Sequence, residues 1–267
     1  MTEILGYIAA IVIGITLGMI GGGGSILTVP VLVYLMHIDP LPATTSSLFI
    51  VGTTSLVGGL RAYARKWVDF KAVTEFGIPS IFSIFVTRHY LLPAIPNELF
   101  TIGGETITRS MLLMVIFAVL MLGASVSMIR NLQEDDYQAK VEKDTHNKVI
   151  PLILLGLLIG VITGLLGAGG GFLIIPTLVL FLKLPMKTAV GTSLLIIAIN
   201  SLFGFLFSLK QFEFDWGLLI SFTVLSVSGL FIGGKIAEKI EGNSLKKGFG
   251  WFVLVMGIYI IIHEIFL

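Results

Sequence analysis

The chain has 267 residues, of which 55% are hydrophobic and only 12% charged, and its mean hydropathy is +1.00. Soluble domains carry about 25% charged residues, so this composition excludes an ordinary soluble domain. The net charge of +1 provides no basic surface for nucleic acid, and the absence of cysteine excludes disulfides and thiolate chemistry.

Long apolar blocks without a charged residue recur along the chain, at 43–60, 112–129, 149–182, 188–209 and 248–262. About 20 helical residues cross the apolar core of a bilayer, so blocks of this length are transmembrane candidates. Residues 1–20 contain Glu3 but no Lys or Arg, so they lack the basic start of a signal peptide and are assigned to the fold. The sequence predicts an all-α, polytopic membrane protein.

Ten apolar segments are predicted, five in each half of the chain. Those of the first half are 4–20, 25–37, 43–64, 70–92 and 109–130, and those of the second are 149–166, 171–183, 188–209, 216–234 and 248–266. We therefore predict a first transmembrane repeat at 1–130, a linker at 131–148 and a second repeat at 149–267. A further polar stretch, 92–110, occurs only in the first half.

The two halves are related in sequence. A shift of 146 positions aligns 14–69 with 160–215 without a gap, and 18 of these 56 positions are identical. Shared membrane composition accounts for paired leucines, but not for a register that keeps Pro30 with Pro176, Ser47 with Ser193 and Asp69 with Asp215. The chain is predicted to be an internal duplication.

The basic residues predict that the two repeats are inserted in opposite directions. Lys and Arg follow the third and fifth segments of the first half, but the second and fourth of the second half. This pattern requires the first two segments of each half to enter and leave on one side, with both termini outside and 131–148 in the cytoplasm. A re-entrant pair fits, because segments 25–37 and 171–183 span only about 20 Å of helix. Arg88 and Arg109 lie on the outer side, against the pattern.

Glycine clusters join the first two segments of each half, "GGGGS" at 21–25 and "GAGGG" at 167–171. Matched broken segments mark the binding site in inverted-repeat transporters, and helix starts offer free N–H groups that favour anions. We predict that two opposed turns bind one small anion through Gly21, Gly22, Gly23, Gly24, Ser25, Gly167, Gly169, Gly170 and Gly171. The alternative is that these glycines only allow close helix packing.

The third segment of each half carries matched neutral polar residues. Ser47 and Thr54 share one helix face, and Ser193 and Asn200 repeat their spacing. They are predicted to donate to the anion, because the charge-free segments offer no Lys or Arg. The alternative is that they bond to their own helix or to a neighbouring helix. Glu75 is the candidate for ion coupling.

Other polar residues receive structural assignments. Asp69 and Asp215 are predicted helix N-caps. The four histidines show no spacing suited to metal ligands, and no cofactor or metal is expected. The expected partners are a small anion and the lipid bilayer, and the apolar outer surface permits a homodimer without requiring one.

The chain resembles the TauE/SafE family of sulfite and organosulfonate exporters. The resemblance rests on "GLLGAGGGFLIIPTLV", "AVGTSLLIIAINSLFG" and "GGKIAEKI", with the first-half counterparts "GMIGGGGSILTVPVLV" and "ATTSSLFIVGTTSLVGG". It implies export of small sulfur-containing anions across the cytoplasmic (inner) membrane by secondary transport. The first repeat departs from the pattern at 88–110.

Three alternatives stay open at this point. The transported solute is either a sulfur anion or another small oxyanion or carboxylate. An intramembrane enzyme is disfavoured because no His, Asp and Glu constellation falls at mid-depth, and we predict that the protein is not an enzyme. A membrane assembly factor is disfavoured because it would not need glycine turns in both halves.

Overall fold

The computed structural model describes residues 2–102, 105–129, 149–167, 169–182, 184–237 and 242–266. The predicted linker, 131–148, lies outside these residues. Within them, six helices are long and apolar enough to cross a bilayer: Glu3–Ile20, Pro40–Ala64, Phe70–Ala94, Arg109–Val126, Met186–Ser208 and Trp216–Ala237. The predicted all-α, multi-pass membrane fold is confirmed.

The first half contains helices of very different regularity. Helix α1 (Thr2–Ile20) is followed by a broken segment made of a 3₁₀ turn (Gly22–Leu27), the short α2 (Thr28–Pro30) and a π turn (Val31–Leu35). Then come α3 (Pro40–Ala64), α4 (Phe70–Val86), a π turn (Thr87–Leu91), α5 (Leu92–Ala94) and α6 (Arg109–Ile129). The broken segment is too short to cross a bilayer alone.

The second half follows the same order with regular helices. It contains α7 (Val149–Leu166), the short α8 (Gly171–Leu182), α9 (Met186–Ser208), α10 (Trp216–Ala237) and α11 (Gly242–Phe266). The helices lie within a few residues of the predicted segments, because apolar runs and their polar ends mark membrane helices clearly.

The stretch that is unique to the first half forms a β-hairpin. Strands β1 (Glu98–Ile102) and β2 (Glu105–Thr108) pair antiparallel, with Ile102 opposite Glu105. The hairpin was not predicted from the sequence. Arg109 follows it directly, and its Nη1 donates to the carbonyls of Leu92 and Ile95 at 3.0 and 3.1 Å. This arginine therefore links the start of α6 to the end of α5.

Two aspartates begin equivalent helices of the two halves. The Asp69 Oδ1 accepts a hydrogen bond from the Ala72 N–H at 3.0 Å, and the Asp215 Oδ1 accepts one from the Leu218 N–H at 3.1 Å. Both satisfy a backbone donor that the first helical turn leaves free. The predicted N-caps are confirmed.

Helices α3 and α9 pack antiparallel along the middle of the molecule. A Cβ on Gly58 would lie 3.1 Å from the Leu194 side chain, and a Cβ on Gly204 would lie 3.0 Å from the Leu48 side chain. The late part of each helix thus contacts the early part of the other. Their buried residues include many Ser and Thr, small residues that let membrane helices pack closely.

The other main helix pairs repeat between the halves. Helix α1 packs on α10, α7 packs on α4, and α6 packs on α11. A Cβ on Gly14 would overlap the carbonyl of Ser226, and a Cβ on Gly160 would overlap the carbonyl of Ser80. These two contacts are related by the shift of 146 residues seen in the sequence. Equivalent contacts in the two halves are expected of an internal duplication.

Large apolar side chains cover the outside of this bundle. Ile78, Phe82 and Ile150 are each more than 60% exposed, at 66%, 63% and 69%. On a soluble protein such a surface would drive aggregation. Around a bundle of membrane-length helices it is the surface that faces lipid.

Candidate functional site

The first glycine cluster ends α1 and the second ends α7 in the same way. The Gly21 N–H donates to the Leu17 carbonyl and the Gly167 N–H donates to the Thr163 carbonyl, both at 2.9 Å. Gly21 and Gly167 have φ values of 76° and 68°, in the region that side chains rarely adopt. The turn therefore requires glycine at both positions, which are 146 residues apart.

The glycine turns meet each other inside the protein. Gly22 and Gly171 are buried, and a Cβ placed on either one would overlap the backbone of the other. The main chains of the two glycine turns therefore approach each other to van der Waals distance. Neither turn faces lipid, in agreement with the rule that irregular backbone at membrane depth is buried in protein.

The remaining glycines contact both neighbouring helices. A Cβ on Gly169 would lie 3.0 Å from Val51, Ile197 and the Ser201 hydroxyl. A Cβ on Gly170 would overlap the Thr163 hydroxyl. Gly24 lies in the same way against Thr16, and Gly23 lies in the 3₁₀ turn. Close packing, the alternative raised above, therefore accounts for part of the glycine requirement.

The polar residues of the broken segments make mostly local bonds. The Ser25 hydroxyl donates to the Gly22 carbonyl at 2.7 Å, which holds the 3₁₀ turn closed. At the far end of this segment, the Tyr34 hydroxyl donates to the Glu264 carboxylate at 2.8 Å, and its ring contacts those of Tyr259 and His263. The first broken segment is therefore attached to the last helix of the chain.

The four polar candidates on α3 and α9 are all fully buried. The Ser193 hydroxyl donates to Val190 in its own helix at 2.8 Å, and it lies 3.4 Å from a Cβ built on Gly21. Asn200 accepts a hydrogen bond from the Ser80 hydroxyl at 2.9 Å. The Asn200 Nδ2 and the hydroxyls of Ser47 and Thr54 have no hydrogen-bond partner among the described residues.

A cavity of about 520 Å³ lies beside the first glycine turn. It is formed by the end of α1, the end of α3, the start of α9 and the end of α10, through Gly18, Met19, Ile20, Gly58, Arg61, Ala62, Arg65, Trp67, Met186, Lys187, Val190, Gly191, Leu194, Leu230, Gly234 and Ala237. Its wall includes Ile20, the residue just before Gly21. A small anion with its first water shell fits this volume.

The cavity wall is positive on one side and apolar elsewhere. It carries Arg61, Arg65 and Lys187, while no acidic residue is among the lining residues just given. The Arg65 guanidinium and the Lys187 ammonium lie 5.0 and 5.6 Å from the Trp67 ring centre, in cation–π contact. Trp67 therefore holds two cations at the cavity rim, where they favour the approach of an anion.

A fully buried arginine lies against the start of α3. Arg88, in the π turn after α4, has 0% exposure, and its Nη1 donates to the Thr45 hydroxyl at 2.9 Å. Its Nε and Nη2 have no partner among the described residues. The expectation that neutral groups alone are available at depth overlooked this side chain. The signal was its position on the outer side, against the charge pattern.

Glu75 lies in the second turn of α4, near the start of a predicted membrane crossing. Its carboxylate forms an ion pair with Lys71 at 3.8 Å, and their side chains are 22% and 76% exposed. No group of three metal-ligating side chains occurs among the residues that the structure describes. The coupling role of Glu75 stays a prediction.

Known proteins place this chain in a family. The model of the family described as "Sulfite exporter TauE/SafE" matches residues 6–260. A probable membrane transporter protein of Xylella fastidiosa is 28% identical over 260 residues, covering 93% of this chain and 91% of that protein. The probable membrane transporter protein YunE of Bacillus subtilis is 26% identical over 284 residues, covering 97% and 96%. No solved structure matches the chain. The chain therefore belongs to the TauE/SafE family.

Proposed function

We propose that this protein is a secondary active transporter that exports a small sulfur-containing anion, sulfite or an organosulfonate, across the cytoplasmic membrane. The observation that carries the proposal is the cavity beside the first glycine turn. It runs from a rim with three basic side chains to Met19 and Ile20, next to Gly21. Beyond this point the contact between Gly22 and Gly171 closes the path.

The comparisons support transport as the activity. The relatives are named probable membrane transporter proteins, and the matched family is named for sulfite export. A protein that moves an anion also needs a site that binds it weakly. Backbone N–H groups and neutral side chains at the turns, with cations only at the rim of the described cavity, provide such a site.

The packing of the two halves supports alternating access. Helices α3 and α9 are equivalent in sequence and run antiparallel, as expected if the repeats are inverted. In an inverted repeat, the two halves can exchange conformations and so open the site to either side in turn. The cavity reaches the turns from the side of Trp67, which the charge pattern assigns to the cytoplasm. In this conformation the transporter would be ready to load its anion.

The proposed binding site comprises the glycine turns together with the polar groups of α3 and α9. Ser193 lies beside Gly21, and the Asn200 Nδ2 and the hydroxyls of Ser47 and Thr54 are donors without a partner in the part of the chain that the structure describes. Buried donors without partners are costly in a folded protein. A transiently bound oxyanion would satisfy those donors that lie within hydrogen-bond reach of it.

A carboxylate or another oxyanion is the second candidate solute, because no group in the cavity distinguishes sulfur from carbon. The apolar part of the wall, with Met19, Ile20, Leu194 and Leu230, favours anions that carry an organic group. An organosulfonate can contact both the basic and the apolar parts of the wall, whereas sulfite can contact only the basic part.

Flux into liposomes tests the proposal. Purified protein should exchange labelled sulfite or methanesulfonate across the bilayer, and faster exchange of acetate than of either would favour the second candidate solute. Arg61→Gln should reduce the rate at low substrate concentration, whereas Lys210→Gln, outside the described cavity wall, should not. Absence of flux for every small anion, under several ion gradients, would refute transport of this class.

A further inference from the structure

We propose that Arg88 is an anion-binding residue, which receives the transported oxyanion on the side of the glycine turns opposite the open cavity. The inference rests on the proposed function, because it assigns a second contact to the same anion. It starts from a buried guanidinium whose only described partner is the Thr45 hydroxyl.

The repeat shows where Arg88 lies relative to the open cavity. In the 146-residue register of the repeat, Gly18, Val190 and Gly191 of the cavity wall are equivalent to Gly164, Thr44 and Thr45. In the same register, Leu194, Leu230 and Gly234 are equivalent to Leu48, Ile84 and Arg88. Arg88 thus takes the position at which the open cavity has a glycine. A Cβ on that glycine, Gly234, would lie 2.8 Å from the Arg61 guanidinium.

The residues equivalent to the cavity wall contact one another as the wall residues do. A Cβ on Gly204 would lie 3.0 Å from Leu48 and 3.3 Å from Ile84, and a Cβ on Gly164 would lie 3.5 Å from the Ile84 Cα. A Cβ on Gly167 would overlap the Thr44 carbonyl. The residues equivalent to the wall of the open cavity are therefore packed against one another here, and the repeat places Arg88 and Thr45 among them.

The residues around Arg88 also contact a glycine turn. Thr44 contacts Gly167, just as Val190 contacts Gly21, and Arg88 bonds to the neighbouring Thr45. Arg88 is therefore connected to the second turn through Thr45 and Thr44. An anion that passes between the turns would meet this guanidinium.

The unpaired donors of Arg88 indicate what they bind. Nε carries one N–H and Nη2 carries two, and none has a partner among the described residues. Arginine stays charged in proteins, so it cannot relieve its burial by losing a proton. No ion pair is described for it, and Thr45 provides a neutral oxygen only. A planar fork of free N–H groups matches two oxygens of a sulfite, sulfonate or carboxylate group.

Thermal unfolding of purified protein, with and without sulfite, separates this role from a structural one. Arg88→Gln removes a buried, unpaired charge, so its melting temperature without ligand should equal or exceed that of the wild type. The increase that sulfite causes in the wild type should disappear. A structural arginine would give the opposite result, a lower melting temperature without ligand.

Calorimetric titration with sulfite gives the size of the effect. Loss of charge-assisted hydrogen bonds should weaken the affinity of Arg88→Gln on the order of ten- to hundredfold. Arg88→Lys keeps the charge but loses the fork, so it should bind sulfite less tightly and lose its preference for sulfite over chloride. Arg109→Gln is the matched control, because Arg109 bonds to backbone carbonyls. It should melt at a lower temperature and keep the wild-type sulfite affinity.

The outcomes distinguish failure of this inference from failure of the proposed function. If the wild type binds sulfite and Arg88→Gln binds it equally well, Arg88 is not a ligand, while the transport proposal stands. If Arg88→Gln does not fold, unchanged affinity and unchanged selectivity in Arg88→Lys refute the inference. If the wild type neither binds nor transports any small anion, both proposals fail.

Discussion

Replacement of Gly22 by alanine tests whether the two glycine turns meet as described. A Cβ at this position would overlap the Gly171 backbone and would lie 2.6 Å from the Ile197 side chain. Gly22 does not have a positive φ, so alanine is conformationally allowed there and the whole cost comes from the overlap. Overpacking of this kind costs about 1–3 kcal/mol.

Gly77→Ala is the matched control for this variant. A Cβ on Gly77 would have no neighbouring atom within 4 Å, so only the loss of backbone freedom in the unfolded chain remains. That term stabilises a helix by about 0.5–1 kcal/mol. The free energy of unfolding should therefore be about 1–3 kcal/mol lower for Gly22→Ala than for Gly77→Ala.

Equilibrium unfolding in mixed detergent micelles, followed by tryptophan fluorescence, measures this difference. Gly22→Ala and Gly171→Ala disturb the same contact, so the effect of the double variant should differ from the sum of the single effects. Equal stability of Gly22→Ala and Gly77→Ala would show that the turns do not touch. The cavity would then continue between them, and the closed path in the proposed transport cycle would be wrong.

Three further predictions concern the cavity, the caps and the topology. Arg61→Gln and Lys187→Gln should each raise the KM for the anion, and this increase should become smaller at high salt because screening weakens electrostatic attraction. Lys210→Gln should change neither the KM nor its salt dependence. An unchanged KM in both cavity variants would contradict anion attraction at the rim. Asp69→Ala should lower the free energy of unfolding, measured by chemical unfolding, by about 1 kcal/mol, because the hydrogen bond from the Ala72 N–H to the Asp69 cap is lost. An unchanged free energy would rule out a stabilising cap. Because the chain has no cysteine, single cysteines in 131–148 should react with impermeant reagents from the cytoplasmic side only, and labelling from outside would contradict the proposed orientation.

Much of the helical architecture could be predicted, because in a membrane protein hydropathy and helix length are tightly linked. The predicted end of α1 before Gly21 and the caps at Asp69 and Asp215 depend on local rules, and the structure agrees with them. The hairpin at 98–108 was missed. Its strands are short, mix apolar with polar residues and follow a proline-containing segment, so neither hydropathy nor periodicity marks it.

Only those features of the site that depend on local sequence could be predicted. The glycine turns are visible as clusters, but their mutual contact between Gly22 and Gly171 is a tertiary fact. The basic rim combines Arg61 from the end of α3 with Lys187 from the start of α9, and only the antiparallel packing of these helices brings them together. Ser193 was expected to face a ligand, yet its proton goes to Val190 in its own helix. Such back-bonding cannot be distinguished from ligand contact by spacing alone.

The hydrogen bond between Tyr34 and Glu264 restrains the first broken segment, and α8 has no equivalent of it in sequence. It attaches the end of the first broken segment to α11, which packs along α6. The equivalent position in α8 is Leu180, which has no hydroxyl to offer. We therefore expect α8 to move during the transport cycle, while the first broken segment stays fixed against α11. Hydrogen exchange of the amides in α8 should accordingly be faster than in 22–35.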